Sequence, residues 1–308
     1  MNKSILIHNI TKLSGGFGDF IRAGISLYAF CRVNNIEYYI YFDDNEYFKE
    51  CFLLDICYEY ENYKNNSQKE LYEIEEVNLM NMLSYNNVFE TFFNKILNFN
   101  KIYIVISNSF NFYETKYINK FKNDFFTKKL KPSNKLEEYI QKYYNKYGLI
   151  ENNYISVHVR CGDKIMCLND NNIKSVNDVR IDINSENTYL NLIKYIENIK
   201  NIINIKIPVV IHSDSNLFKK KIKEYEKEYI VLDTNLFHHS ESIGVNNEKS
   251  NFDTYCEFFI IARANCIFTY GLYSGYSYFA SIINNKKLFV THVNNSIMKL
   301  NNDIVVFN

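Results

Sequence analysis

Tyr154-Ile155-Ser156-Val157-His158-Val159-Arg160-Cys161-Gly162-Asp163 is a largely apolar run that ends in an arginine, a glycine and an acid. Such a run predicts a strand buried on both faces of a parallel sheet. Gly162 marks where the chain turns out of it. Strand periodicity places His158 and Arg160 on one face, with Val157 and Val159 on the other. Two further stretches repeat the arrangement: residues 4–10 run into Ser14-Gly15-Gly16-Phe17-Gly18-Asp19, and residues 266–270 into Gly271-Leu272-Tyr273-Ser274-Gly275-Tyr276-Ser277. Only nine glycines occur in 308 residues, less than half the usual share of about 7%, and most lie in or beside these loops. A chain so sparing of glycine places it where the backbone turns sharply or approaches a ligand closely. Loops at the carboxyl ends of strands are also where open α/β sheets bind ligands.

Outward from these loops the chain alternates strand and helix. Strands are predicted at residues 37–42, 101–108, 208–213, 229–233 and 287–292. Helices are predicted at 21–33, 134–147, 185–199, 216–228, 253–264 and 274–284. Ser133 or Asn134 is placed to cap the helix that stops at Gly148, and Ser185 to cap the next. Residues 43–100 are polar, Asn-rich and poorly periodic, and short helices are expected there. Apolar strands interleaved with helices imply parallel sheets covered on both faces. The reading is α/β, with two Rossmann-like domains, residues 1–150 and 151–308, facing across a cleft.

Composition removes several function classes. Lys plus Arg and Asp plus Glu are equal at 35 each, so the basic excess of a nucleic-acid binder is missing. Lys219-Lys220-Lys221 sits in a helical pattern with Glu224, Glu226 and Glu228, which reads as a solvated face. The seven cysteines include no closely spaced pair, which argues for a reducing compartment and against a disulfide framework. The amino terminus is too short and polar-interrupted for a signal peptide, and no apolar run approaches the ~20 residues of a membrane span. A soluble, cytoplasmic protein is expected.

The loops suggest chemistry of their own. Arg160, at a strand exit beside a glycine turn, is placed to grip a diphosphate with two parallel hydrogen bonds; an Arg160–Asp163 ion pair that fixes the loop is the plainer reading. Ser274-Gly275-Tyr276-Ser277 opens a helix, whose amides and dipole favour an anion, though Ser274 is equally an ordinary cap. Gly16 and Gly18 belong to a loop that fails the dinucleotide spacing and lacks the phosphate-loop Lys-Ser/Thr. Asp19, near a helix start, serves as a cap or as a carboxylate reaching into a cleft. Asp214, in His212-Ser213-Asp214, is a cap or a nucleotide contact. His8, His238, His239 and His292 are not spaced as metal ligands.

Taken in order, these loops resemble the fucosyltransferase superfamily that shares a His-x-Arg-x-Gly-Asp motif. The likeness covers Gly15–Asp19, His158–Lys164, the strand leading to Asp214, and residues 253–280. It implies a GT-B glycosyltransferase architecture, with GDP-fucose on the carboxyl-terminal domain and the acceptor on the amino-terminal one. By the same resemblance Arg160 binds the β-phosphate and His158 the nucleotide, Ser274 and Ser277 line the diphosphate site, and Asp253 or Glu257 buttresses the arginine. The chain departs from the pattern at Cys161, where several members carry a second arginine, and at Ser274-Gly275-Tyr276-Ser277, which replaces a Ser-Phe-Ser type of sequence.

The implied reaction is inverting transfer of L-fucose from GDP-fucose to a glycan hydroxyl, with no metal and no cofactor beyond the donor. Arg160 and the helix start at Ser274 stabilise the leaving diphosphate, and a carboxylate takes the acceptor proton. Asp19 is the first choice for that base and Asp163 the second. A transferase using another nucleotide sugar, or a non-catalytic glycan or nucleotide-sugar binder on the same fold, are the alternatives.

Overall fold

A computed structural model describes residues 4–9, 17–41, 46–58, 60–61, 73–78, 101–106, 115–162, 181–204, 206–234, 248–271, 274–291, 297–300 and 304–306. The chain forms two compact units, which meet in sequence at Lys135 and Leu136. That is ahead of residue 150, where the sequence reading divides the chain. The physical reason is the helix Asn134–Tyr147, whose buried face of Leu136, Ile140, Tyr143 and Tyr144 packs with the second unit.

In the first unit, β1 (Ile5–Asn9), α1 (Phe17–Val33), β2 (Glu37–Tyr41), α2 (Glu46–Cys51) and β3 (Phe52–Leu53) come first. They are followed by β4 (Glu73–Asn78), β5 (Lys101–Ile106), α3 (Thr115–Lys128) and β6 (Lys131–Pro132). The sheet order is β2-β1-β5-β4, with every pairing parallel. Sequence reading misses β4, because Glu-Ile-Glu-Glu-Val-Asn carries three charges. An edge position, where side chains are only half covered, tolerates them. It also misses α3, whose mostly polar surface conceals Phe125, packed on Tyr28 and Tyr38 with centroids 5.9 and 6.3 Å away. Helix α1 begins at Phe17 and not near Ile21. Phe17 and Phe20 bury against Phe52 and Phe48, at 5.9 and 6.0 Å, so the aromatic contacts draw Gly18 and Asp19 into the first helical turn.

The second unit holds α4 (Asn134–Tyr147), β7 (Ile155–Val159), α5 (Glu186–Ile203), β8 (Val209–Ser213), α6 (Asn216–Tyr225) and β9 (Ile230–Val231). It continues with α7 (Glu248–Ala262), β10 (Cys266–Tyr270), α8 (Gly275–Ile283), β11 (Lys287–Thr291), β12 (Ile297–Leu300) and β13 (Ile304–Val306). The sheet order is β13-β12-β11-β10-β7-β8-β9. Pairings from β11 to β9 are parallel, while β12 and β13 add an antiparallel edge. The chain runs outward from β7 through β8 to β9, then crosses back to β10 on the other side. Strand order therefore reverses between β7 and β10, the position where open sheets of this kind open a crevice for ligands. The core beneath is aliphatic and aromatic, with Val157, Val159, Leu192, Ile196, Ile211, Phe218 and Phe268 buried.

A charged cluster is buried in this unit. Lys219 Nζ of α6 donates to Thr234 O at 3.1 Å, Thr234 Oγ1 at 2.9 Å and Glu257 Oε1 of α7 at 3.2 Å. Thr234 also donates to Glu257, and His212 Nδ1 lies 3.5 Å from Glu257 Oε2. Burial pushes the Glu257 carboxyl up, but the charge of Lys219 and the contact with His212 outweigh it, and the group titrates below its ordinary value.

Because Lys219 compensates a fully buried carboxylate, Lys219→Met should lower stability by about 3–5 kcal/mol near neutral pH, measured by urea unfolding. The wild-type contribution of Glu257 should be complete above the unfolded carboxylate value of about 4.3, and decline as pH falls through the lower folded value. A Lys219→Met protein as stable as wild type would show that the pair is not what neutralises Glu257.

Candidate functional site

The site forms where the ends of β8, β7 and β10 lie side by side. Register pairs His158 with His212 on one flank and with Thr269 on the other. The three side chains therefore sit at one level on one face. The residues that follow each of them, Asp214, Arg160 and Gly271, emerge next to each other.

Arg160 is held by Asp214. Its Nη1 donates to Asp214 Oδ2 at 2.6 Å, with the arginine side chain 19% and the aspartate 4% exposed. The same carboxylate accepts the Cys161 amide at 2.8 Å and the Gly162 amide at 3.3 Å, and Ser213 Oγ approaches at 3.5 Å. Consecutive amides turned to one side form an anion-binding nest, here filled by the chain's own Asp214. Gly162 reaches that conformation with φ +103, which a side chain would oppose. Asp214 is not a helix cap. Ser215 is the cap of α6, accepting from the Phe218 amide at 3.2 Å.

Gly271 closes the other side of Arg160. Its φ is +86, and a Cβ placed on it would lie 2.8 Å from Ile181 Cγ2 and 2.9 Å from the Arg160 carbonyl oxygen. Beyond it, Ser274 occupies the cap position of α8, but its hydroxyl makes no capping bond. Tyr276, in the first turn of α8, sets its ring 5.5 Å from His158 and donates its hydroxyl to the Thr254 carbonyl. Burial, and then the Glu257 charge, push the Tyr276 phenol well up, so it remains a donor.

Other expected residues fall elsewhere. Ser277 does not line the surface; it is fully buried, 2.6 Å from Thr269 Oγ1, and ties α8 to β10 from below. Glu257 does not buttress Arg160, being committed to Lys219, Thr234 and His212. Asp253 is fully buried and accepts the Tyr139 and Tyr143 hydroxyls at 2.7 and 2.9 Å. Burial and Asp253 both raise those phenols. The two tyrosines escaped sequence reading. Their spacing of four places them on one face of α4, but nothing local points to a partner in α7.

Asp19 lies in the first turn of α1, its side chain 38% exposed and paired with Arg22 Nη2 at 2.7 Å. Gly18 is buried in the same turn. Gly16 and Asp163 lie outside the described residues. The described cysteines are buried, and burial pushes the Cys161 thiol up, so it is no thiolate nucleophile. Among the described residues no three His, Cys, Asp or Glu side chains gather as a metal site, and no helix is long and apolar enough to cross a membrane.

No family model matches the sequence, and no curated protein matches it. Solved structures do. The chain is similar to fucosyltransferase NodZ from Bradyrhizobium, with a TM-score of 0.57 and 10% identity, covering 100% of this chain and 99% of that one. It is similar to a mutant of Arabidopsis thaliana FUT1 in complex with GDP, with a TM-score of 0.56 and 12% identity, covering 95% and 71%. It is also similar to POFUT1 in complex with GDP-fucose, with a TM-score of 0.52 and 13% identity, covering 92% and 94%. The architecture is that of GT-B glycosyltransferases, built from two Rossmann-like units.

Gly271→Ala should cost more stability than the roughly 1–2 kcal/mol that a left-handed backbone alone takes from an L-residue, because the new methyl also meets the Arg160 backbone. Denaturant unfolding of the variant measures it, and a cost near zero would contradict the close approach.

Proposed function

We propose that the chain is an inverting glycosyltransferase that moves L-fucose from GDP-fucose to a hydroxyl of a glycan acceptor, without a metal or other cofactor. One observation carries this reading: a clamped arginine and the first turn of a helix meet at the switch point of the second sheet. That is a chemistry for a diphosphate. The fold likeness to proteins solved with GDP and GDP-fucose supports the same donor.

As the bond from fucose C1 to the β-phosphate oxygen breaks, negative charge grows on the diphosphate. Arg160 presents a planar fork to it. The first-turn amides of α8 have no intrahelical partner and carry the positive end of the dipole. Ser274 adds a hydroxyl that the helix does not use. These groups are fixed before reaction and need little reorganisation as charge develops. His158 is assigned with them to the donor, as is Asp163 from the sequence motif.

Asp19 is assigned as the general base that takes the acceptor proton. Its carboxylate is partly exposed and held by Arg22, as a base on a rigid element should be. It stands in the first helical turn, three residues before that arginine.

GDP should raise the melting temperature in the absence of divalent ions, with EDTA making no difference. Saturation at 100 times Kd contributes about 2.7 kcal/mol. Strict dependence on magnesium or manganese, or a preference for UDP, would overturn the fucosyl-donor reading. Arg160→Ala should nearly abolish transfer and Arg160→Lys should restore little, since a point charge does not replace a fork; retention of activity within a few-fold would reduce Arg160 to a loop anchor.

Asp19→Asn keeps shape and removes basicity. Turnover should fall on the order of 10²–10⁴-fold while GDP affinity stays unchanged. Full turnover in this variant would exclude Asp19 as the base and direct the search to Asp163.

A further inference from the structure

We infer that Asp214 is a positioning residue for Arg160 and not a ligand of the nucleotide. The inference rests on the proposed donor site and assigns a role that the sequence alone left between cap and contact. An ionised carboxylate offers about four acceptor positions. Asp214 Oδ2 takes Arg160 Nη1 at 2.6 Å and the Gly162 amide at 3.3 Å; Oδ1 takes the Cys161 amide at 2.8 Å and faces Ser213 Oγ at 3.5 Å. Three positions have a protein donor, the fourth faces Ser213 Oγ, and the side chain is 4% exposed. A carboxylate so engaged and so covered has little with which to accept a ribose hydroxyl or a base amine.

Charge leads to the same assignment. A carboxylate that touched a diphosphate directly would repel it. Placed behind the guanidinium, it instead fixes one nitrogen of the fork and leaves the plane of Arg160 in a single orientation. The two amides anchor that carboxylate to the loop carrying the arginine. The loop after β7 and the end of β8 are thereby locked into one unit, and the direction of Arg160 is set before any ligand arrives. This is the arrangement in which a second group tunes a binding residue without contacting the ligand.

A double-mutant cycle on GDP affinity, read by calorimetry without divalent ions, tests the assignment. Asp214→Asn is preferred to Asp214→Ala because it keeps volume and one acceptor; far-UV circular dichroism and thermal unfolding establish that each variant is folded. In the wild-type background Asp214→Asn should weaken GDP roughly 10- to 100-fold, the scale of one charge-assisted hydrogen bond. In the Arg160→Ala background the same change should cost less than about twofold, or strengthen binding by removing a negative charge near the phosphates. Equal losses in both backgrounds would overturn the inference and make Asp214 a direct ligand. Undiminished affinity in the single variant would overturn it too, because Arg160 would then need no positioning. If Arg160→Ala itself leaves GDP affinity intact, the diphosphate reading fails, and the inference falls with it.

Discussion

The in-register pairing of β10, β7 and β8 is the constraint on which the site depends. It puts Thr269, His158 and His212 on one level and on one face. The three strands end at one level, so Arg160, Asp214 and Gly271 leave the sheet side by side. A slip of one residue in β7 would turn His158 and Arg160 to the opposite face of the sheet. It would also move the loop amides away from Asp214. Apolar side chains on the face opposite His158, Val157 and Val159 among them, fix that register through the core. The packing of the sheet and the aim of Arg160 are thus one problem with one solution.

Beneath that level the unit buries polar groups in an ordered way. Ser277 and Thr269 tie α8 to β10, Tyr276 reaches the Thr254 carbonyl on α7, and Glu257 gathers Lys219, Thr234 and His212. A buried ion pair is not an efficient source of stability compared with apolar packing. Its value here is specificity of arrangement. Glu257 and Lys219 accept each other only when α6 and α7 are at one separation, and that separation fixes the floor under His158 and Tyr276.

The sequence made the strand–helix alternation legible, since apolar runs such as 154–160 and 266–270 are long enough to be buried strands. Cys266–Tyr270 falls where the pattern placed it. The glycines pointed correctly to the loops, and Gly162 and Gly271 have the positive φ that local reasoning would ask of them. Elements whose burial is partial were the ones lost: β4 with its glutamates, and α3 with its lysines. The partners of charged groups were not legible at all. That Asp214 and not Glu257 holds Arg160, that Ser215 and not Asp214 caps α6, and that two tyrosines hold Asp253 from 110 and more positions away are tertiary facts. Local chemistry narrows a carboxylate to a few roles, and only the fold chooses among them.

Cys161 shows what a small, apolar side chain beside the arginine permits. Strand alternation turns residue 161 away from the face of Arg160 and into the core, where the thiol lies fully buried and 3.3 Å from Ser213 Oγ. A long cation at that position would have to leave this niche or bury its charge beside Tyr189 and Val159. With a thiol there, the backbone amide of Cys161 can close on Asp214 without competition from a second guanidinium. In the proposed reaction, Arg160 and the amino terminus of α8 are the groups among the described residues that compensate the leaving diphosphate. A helix terminus contributes about half a unit of positive charge and is fixed in place. The orientation of Arg160 therefore matters, which is the physical reason for a carboxylate that holds both the guanidinium and the amides of the loop that carries it.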